Sequence, residues 1–469
     1  MVKQSISPNV RKTPSGPRSY PIIGCFPQMA SNPLQFLTNA AREYGDVVHL
    51  GPIGPQQLYL VTHPDGVKHI LLDNFHNYVK GDNFKDKDFT LLVGNGLINS
   101  EGDAWRRQRR LLQPAFHSRQ QIAAMVSLMT NVIEELLEQW RSIENTQIDV
   151  AAEMLELSQK IVIKALLSLD PNSSETAQII QAWHTVLGFH TDRIWAFFKV
   201  PLSVPTPKNV RFLQAVETIN TIVYRLIRER RQSSNDYDDL LSWLINARHE
   251  SGEGLSDELV RDEIVALFVA GFDTSATSLG WVWYMLSQHP NVESKLQEEL
   301  ATVLGGRTPT YEDIPNLKYT KMVIQETMRL YPAVWILSMT NVADDEICGY
   351  HIPAGSMIVL SPFVTHHLPS IWENPDKFDP ERWSPERSAG RPWASYLPFG
   401  GGPRQCLGDV FVTTEMQLII AMVSQHLRLK LVPGHPVEMD TRLALRSRHG
   451  LPMTLEPRKS RELTLQNVE

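Results

Sequence analysis

The chain has 469 residues, enough for a large hydrophobic core, and its net charge of −7 reflects 45 basic and 52 acidic residues. This mildly acidic balance does not favour nucleic-acid binding, and 42% hydrophobic with 21% charged residues is ordinary for a globular protein. The cysteines, Cys25, Cys348 and Cys406, are odd in number and form no C-x-x-C pair, which disfavours a disulfide framework and indicates a reducing compartment.

The two ends of the chain predict neither a targeting signal nor an anchor. Residues 1–19 are polar and lack the apolar stretch of a signal peptide. We expect residues 1–30 to be an extended lead-in, residues 458–469 to be a polar tail, and the protein to be cytoplasmic. No run of about 18 apolar residues occurs, so no membrane span is predicted.

Short elements open the folded part of the chain. Asn32 and Pro33 have the pattern of a helix N-cap followed by proline at the first helical position. Residues 47–50 and 58–61 predict two strands around a turn. Residues 78–100 lack periodicity and are expected to form a loop.

The middle of the chain is predicted to be helical. A helix capped by Asp103 would carry Trp105 and Arg109 on one face and end before Pro114. Taken alone, such an arginine-rich helix is typical of a solvated surface. Further helices are expected at 119–140, at 150–169, twice between 173 and 231 around the proline-rich connector 200–207, and at 257–288.

The helix predicted at 257–288 has unfavourable residues at its centre. Gly271 costs about 1 kcal/mol relative to Ala in a helix interior, and Asp273 and Thr274 compete for backbone hydrogen bonds. One interpretation is an exposed polar spot on an otherwise buried helix. The other is an opened helical turn that holds a small ligand or water.

Later residues predict a charged pair and two short strands. Glu326 and Arg329 are three apart on a helix that ends near Leu330, a spacing typical of a surface ion pair. Strands are expected at 346–355 and 357–360. The adjacent His366 and His367 would point apart in a strand, so we interpret them as structural.

A glycine-rich loop leads to Cys406 and then to a helix predicted at 410–426. The loop reads Phe-Gly-Gly-Gly-Pro-Arg-Gln-Cys-Leu-Gly from Phe399 to Gly408. The helix dipole and Arg404 both favour the thiolate of Cys406. A cysteine nucleophile would need a histidine base, a phosphate loop would need Lys-Ser or Lys-Thr, and an inert cysteine in a plain glycine turn is also possible.

The full pattern Phe-Gly-x-Gly-x-Arg-x-Cys-x-Gly resembles the haem-binding loop of the cytochrome P-450 superfamily. In that family the cysteine thiolate binds haem iron and pushes electron density that favours O–O cleavage. The resemblance implies a single domain over 1–469, mainly α with small β elements (α+β). It also implies haem b, with Cys406 as axial ligand, between the long central helix and the cysteine loop with its following helix.

The resemblance also implies roles for the other motifs. Thr274 would hydrogen-bond dioxygen and its waters, Asp273 would feed protons inward, and Gly271 would leave space beside the iron. Met339 takes the place of an arginine that commonly reaches a propionate, which puts that contact in doubt. The implied haem-binding residues are Trp105, Arg109, Ala270, Phe399, Gly400, Arg404 and Gly408. Glu326, Arg329 and Arg382 would form a structural network.

The function implied by the resemblance is insertion of one oxygen atom from O2 into a hydrophobic small molecule, such as a fatty acid or terpenoid. Electrons would come from a ferredoxin or flavodoxin with its reductase, docking on the basic cluster Arg106, Arg107, Arg110 and Arg119. We expect a bacterial monomer. A peroxide-driven or isomerising enzyme and a non-catalytic gas sensor are the alternatives, and the Asp273–Thr274 pair favours monooxygenation over both.

Overall fold

The computed structural model describes residues 12–81, 86–143, 146–194, 196, 199–233, 237, 239–248 and 252–458. The first part of the predicted lead-in and nearly all of the polar tail therefore lie outside the described residues. The chain forms two compact units. The first comprises Met1–Asp86, Val334–Lys377 and Gly390–Cys406, and the second comprises Lys87–Ala333, Phe378–Ala389 and Leu407–Glu469. The expectation of a single domain stays a prediction.

The first unit contains most of the β structure. Its helices are α1 (Phe26–Ser31), α2 (Pro33–Tyr44), α3 (Pro64–Lys68) and α14 (Pro362–His366). Its strands are β1 (Val47–Ile53), β2 (Gln56–Val61), β3 (Tyr78–Lys80), β5 (Leu337–Asn341), β6 (Asp345–Ile347), β7 (Tyr350–Ile352) and β8 (Met357–Leu360). The predicted extended lead-in over residues 1–30 is wrong at its end, because helix α1 begins at Phe26.

Five of these strands form one sheet, in the order β1-β2-β8-β5-β3. The β2–β8 pair is parallel and the other pairs are antiparallel. A buried cluster that includes Val47, Val61, Ile358 and Leu360 packs the sheet. The predicted strands at 47–50, 58–61 and 357–360 are confirmed, whereas β5 was missed.

The second unit is mainly helical. Its helices are α4 (Lys87–Val93), α5 (Gly102–His117), α6 (Arg119–Arg141), α7 (Val150–Leu167), α8 (Ser174–Ile194), α9 (Pro207–Gln232), α10 (Leu240–Asn246), α11 (Asp257–Gln288), α12 (Pro290–Val303), α13 (Lys318–Leu330), α15 (Pro385–Ser388) and α16 (Asp409–His426). Its strands are β4 (Gln147–Asp149), β9 (Leu427–Leu431), β10 (Met439–Asp440), β11 (Arg446–Ser447) and β12 (Pro452–Pro457). Strands β4, β12 and β9 form a sheet, and β10 pairs with β11.

Two sequence predictions, for the segment 78–100 and for the end of α5, are wrong. The segment 78–100 is not a plain loop, because it contains β3 in the first unit and α4 in the second. Helix α5 does not end before Pro114 but continues to His117, and Asp103 lies in its first turn without capping it. Burial of Leu112, Ala115 and Phe116 stabilises the last turn of α5 despite the backbone bond that Pro114 cannot make.

Helix α11 is the long core helix of the second unit, and its predicted bounds are confirmed. It is 32 residues long and helical throughout. Of the helices in the described ranges, α11 alone is long and apolar enough to cross a membrane. Inside the protein, 67% of its apolar stretch of 18 residues is buried. A helix that is mostly buried in the core meets this criterion by length and composition only, so α11 does not contradict the prediction of no membrane span.

Candidate functional site

Glycines shape the cysteine loop of the first unit. Gly400 and Gly402 have φ angles of +68° and +67°, which L side chains rarely adopt. A Cβ on Gly402 would lie 1.9 Å from the carbonyl oxygen of Leu71, so the loop passes too close to that backbone for any side chain. The amide of Cys406 donates to the carbonyl of Phe399 at 2.9 Å. This bond closes the loop and leaves the Cys406 side chain exposed.

A buried histidine holds the entry to this loop. The Nε2 atom of His366 accepts a hydrogen bond of 2.8 Å from the amide of Leu397, and His366 is fully buried. His366 and His367 are at the end of α14 rather than in a strand, so the reason given for their orientation was wrong. The ring of His367 bonds the carbonyl of Phe363 at 2.7 Å through Nδ1. His366 positions the peptide chain that leads to Phe399.

The centre of α11 in the second unit is a closed helix. The hydroxyl of Thr274 donates to the carbonyl of Ala270 at 2.9 Å, and that of Ser275 donates to the carbonyl of Gly271 at 2.9 Å. These bonds to the residue four back satisfy both hydroxyls within the helix. The interpretation as an opened turn was wrong in this structure.

One narrow face of α11 is accessible in the middle of an otherwise buried helix. Ala270 is exposed and Gly271 and Thr274 are partly exposed, whereas Phe272 and Ser275 are buried. The accessible residues are one helical turn apart and have small side chains. The other interpretation, an exposed polar spot, applies only at Thr274, because Asp273 is buried.

Gly271 also lets α11 approach a neighbouring helix. A Cβ at Gly271 would lie 3.3 Å from Cγ2 of Val162 on α7, closer than most side-chain contacts. The glycine therefore has a packing role, because the absence of a side chain lets α11 lie close to α7.

Asp273 is buried and bound to an arginine that the sequence interpretation missed. Both carboxylate oxygens lie 2.9 Å from one guanidinium nitrogen of Arg446 on β11. Burial raises the pKa of Asp273, and the charge and hydrogen bonds of Arg446 lower it in part. The two residues are 173 positions apart, and no local pattern marks the pair.

The predicted charged network exists and is buried. Glu326 accepts hydrogen bonds from Nε and one terminal nitrogen of Arg329, both at 2.9 Å, and from Nε of Arg382 at 3.1 Å. The amide of Asp379 and the indole of Trp383 also donate to it, at 3.0 and 3.1 Å. Five hydrogen-bond donors, three of which belong to two arginines, therefore stabilise this buried carboxylate. This is more than a surface ion pair provides.

Helix α5 presents the Trp-x-x-x-Arg pair on one face. Trp105 is buried and Arg109 is partly exposed. Arg106 binds Asp103 at 2.8 Å and Arg119 lies 3.9 Å from Glu312, so part of the basic cluster is locally neutralised. In the first unit, Met339 is in β5.

Lys80 on β3 is paired directly opposite Met339. Side chains directly opposite in an antiparallel pair are on the same face of the sheet. A cation therefore stands beside the position where the family commonly has an arginine.

Each of the two units has features that fit a haem group. A porphyrin is flat and supplies four nitrogen ligands itself, so it requires one axial donor and a surface without bulky side chains. In the first unit, Cys406 has an exposed side chain on a loop fixed by glycines. In the second unit, α11 provides a strip of small residues around Ala270 and Gly271.

Comparison with known proteins establishes the family. A family model described as Cytochrome P450 matches residues 14–453. The chain belongs to the cytochrome P450 family. The crystal structure of the cytochrome P450DA heme domain has the same fold, with a TM-score of 0.85 at 24% identity over 95% of this chain and 98% of that chain. The predicted P450 fold, mainly α with small β elements, is confirmed.

Several curated relatives come from Streptomyces. Cyclooctat-9-en-7-ol 5-monooxygenase of Streptomyces melanosporofaciens is 38% identical, covering 95% of each chain. Cyclooctatin synthase of the same organism is 37% identical, covering 94% of this chain and 95% of its own. Pentalenene oxygenase of Streptomyces avermitilis is 33% identical, covering 91% and 94%.

The family assignment confirms the predicted class of reaction. The protein is a cytochrome P450 monooxygenase, an oxidoreductase that inserts an oxygen atom from O2 into a hydrophobic small molecule. The family uses haem with a cysteine thiolate ligand and receives electrons from redox partners.

Proposed function

We propose that this P450 oxidises a terpenoid, with Cys406 as the haem ligand and Asp273 and Thr274 as the proton route. The observation that supports it best is the accessible strip of α11, where Thr274 stands among small residues and Asp273 is buried beside it. Bound haem would supply the activation of O2. The chain's own residues would bind and orient the substrate and move protons.

Cys406 is proposed as the iron ligand because its side chain is exposed on the loop that the glycines shape. Trp105, Arg109 and Arg404 would hold the propionates, and the backbone at Phe399, Gly400 and Gly408 would surround the thiolate. Gly271 and Ala270 would face the porphyrin from α11. In the reduced protein with carbon monoxide, we expect the strongly red-shifted Soret band of a thiolate complex. Retention of that band in Cys406→Ser would overturn the assignment, and Cys348→Ser is the control.

Thr274 and Asp273 would hold and transfer protons. The hydroxyl of Thr274 donates to Ala270 at 2.9 Å and keeps its lone pairs as acceptors on the accessible face. Asp273 would carry protons from the solvent side, because it is linked to the partly exposed Arg446. A positioned acid and hydroxyl of this kind contribute about 10²–10⁴-fold to a reaction.

Uncoupling measurements test the proton route. Thr274→Ala should consume reductant while forming less product and more hydrogen peroxide, and Asp273→Asn should mainly slow turnover. Thr274→Ser keeps the hydroxyl and should remain coupled. If all three variants convert substrate as efficiently as wild type with a reductase, the route is elsewhere. If wild type works only with added peroxide, the peroxide-driven alternative replaces the monooxygenase.

The terpenoid proposal is based on similarity and on the chemistry of the strip. The three relatives described above are named for cyclooctatin and pentalenene chemistry. Leu267 and Val269 flank Ala270 and are also partly exposed, so the accessible part of α11 offers apolar contacts with few polar groups. A cyclic hydrocarbon skeleton can bury its surface there without leaving polar atoms unpaired.

Substrate binding can be followed by the spin state of haem. We expect cyclic sesquiterpenes and diterpenes to shift the ferric spectrum from low to high spin. Straight-chain fatty acids of the same carbon number are the matched comparison. A shift with fatty acids and none with cyclic terpenes would replace the terpenoid proposal by a fatty-acid one.

A ferredoxin or flavodoxin is the proposed electron donor, because α5 presents exposed arginines on a protein of net negative charge. The protein is proposed to act as a monomer in the cytoplasm. Size-exclusion chromatography and cell fractionation test these two points.

A further inference from the structure

The pair of Asp273 and Arg446 links a buried carboxylate to the protein surface. The side chain of Asp273 is 8% exposed and that of Arg446 is 37% exposed. One terminal nitrogen of Arg446 lies 2.9 Å from each carboxylate oxygen. The guanidinium therefore stands at the boundary between solvent and Asp273.

The residue before Arg446, Leu445, is held through both its carbonyl and its amide. The indole of Trp281 on α11 donates to the carbonyl of Leu445 at 2.6 Å, and the amide of Leu445 donates to the carbonyl of Ala333 at 2.9 Å. Trp281 stacks on Tyr331, with ring centroids 4.1 Å apart. Because the neighbouring backbone is held, the Arg446 side chain can swing away from Asp273 while strand β11 stays in place.

The remaining charges near the hairpin have partners of their own. Asp440 is opposite Arg446 in the β10–β11 ladder and binds the guanidinium of Arg442 at 2.7 Å. Arg446 is the charged group that acts on Asp273 within the described residues. The pKa of Asp440 is lowered mainly by Arg442 and to a smaller extent by Arg446. Glu415 of α16 approaches Ser275, the second residue after Asp273, and is the other carboxyl packed against this part of α11.

We propose that Arg446 is the positioning residue that controls proton entry at Asp273. The inference rests on the proposed role of Asp273. While the pair is closed, the carboxyl group of Asp273 faces the guanidinium of Arg446. When Arg446 swings out, a carboxylate oxygen takes a proton from solvent water, turns inward and donates it toward Thr274.

The closed pair has a measurable consequence for the carboxyl. Burial favours the neutral acid, and Arg446 opposes it through its charge and two hydrogen bonds. Removing the arginine should therefore make Asp273 retain its proton to higher pH. A purely structural arginine would change the melting temperature without moving this titration.

The first experiment is an infrared titration of resting haem-loaded protein, which requires no turnover. The Asp273 carboxyl band is identified by its loss in Asp273→Asn. In Arg446→Gln the band should persist to higher pH than in wild type, and Arg446→Lys should lie between them. Arg442→Gln is the matched control, because it removes a neighbouring arginine that binds Asp440 instead. If the titration is the same in Arg446→Gln and wild type, the proposal is overturned.

The second experiment separates this inference from the proposed proton route. The pH profile of product formed per reductant consumed should shift toward higher pH in Arg446→Gln and stay unchanged in Arg442→Gln. If Asp273→Asn slows turnover but Arg446→Gln leaves the profile unchanged, the control by Arg446 is wrong and the route stands. If Asp273→Asn has no effect while the infrared band still moves, the route itself is wrong.

Discussion

Glu415 is a buried acid that the predicted motifs do not include. It lies fully buried on α16, and loss of hydration raises its pKa to about 8, with partial opposition from the hydroxyls of Ser158 and Ser275. Neither carboxyl oxygen has a hydrogen-bond partner of acceptable geometry among the described residues. The hydroxyl of Ser275 is already donated to Gly271. We therefore expect Glu415 to be neutral at pH 7.

This raised pKa predicts how stability depends on pH. Between the ordinary pKa of 4.5 and about 8, folded protein keeps a proton on Glu415 that the unfolded chain has lost. The resulting stabilisation is complete below the lower value and is lost as pH rises through the upper one. Glu415→Gln removes the titration, so its melting temperature should fall less than that of wild type between pH 6 and 9. Parallel curves would contradict this, and the exposed Glu298→Gln is the control.

The network around Glu326 predicts that replacing its carboxylate by an amide causes a large loss of stability. In Glu326→Gln, the buried Arg329 and Arg382 lose their counter-charge. Breaking a buried pair in this way typically costs about 3–5 kcal/mol. Glu381→Gln removes an exposed partner of Lys295 in the same segment and should cost at most about 1 kcal/mol. Urea unfolding of both variants measures the difference, and equal losses would show that the network contributes no special stability.

At the scale of single elements, local signals predicted the fold well where they agreed with packing. The Asn32 cap bonds the amide of Gln35 at 3.2 Å as expected, and α11 has its predicted bounds. The failures have physical causes. Helix α5 continues past Pro114 because the residues of its last turn are buried. In α11, the hydroxyls of Thr274 and Ser275 bond to backbone carbonyls within the helix, so the turn stays helical although the residue propensities indicated an opened turn.

Two glycines of the first unit allow the effect of a steric clash to be separated from the effect of backbone strain alone. Gly402→Ala places a Cβ 1.9 Å from Leu71 at a φ of +67°, whereas Gly390→Ala meets nothing within 4 Å at a φ of +75°. Both substitutions cost about 1–2 kcal/mol from the left-handed backbone. Gly402→Ala should in addition displace the loop, so that haem content and melting temperature fall well below those of Gly390→Ala. Equal values would show that the loop moves freely away from Leu71.

For the whole molecule, pairings distant in sequence limited what could be predicted. Strand β2 pairs in parallel with β8, so that Leu58 lies opposite Met357, and nothing local to either strand specifies this. Asp273 was predicted as a site residue through the family motif, but its partner Arg446 became visible only in the folded chain. The same holds for Glu326, whose donors include Trp383 from a later segment.

The distribution of charge over the whole molecule predicts the behaviour of the electron donor. The protein has a net charge of −7, yet α5 carries exposed arginines at 106, 107 and 110. An acidic partner docking there would be attracted through fields screened over about 8 Å at physiological salt. The rate of reduction by a ferredoxin or flavodoxin should therefore fall as salt rises.

A charge reversal locates the docking surface. Arg107→Glu should slow reduction at low salt and weaken its salt dependence, because it places a negative charge on the face proposed for an acidic partner. Arg211→Glu makes the same charge change on α9 and should have a smaller effect, since it alters only net charge. Stopped-flow reduction of the ferric haem at several salt concentrations measures both variants. If the two reversals have equal effects, net charge rather than α5 governs association, and a rate independent of salt would exclude electrostatic docking at either helix.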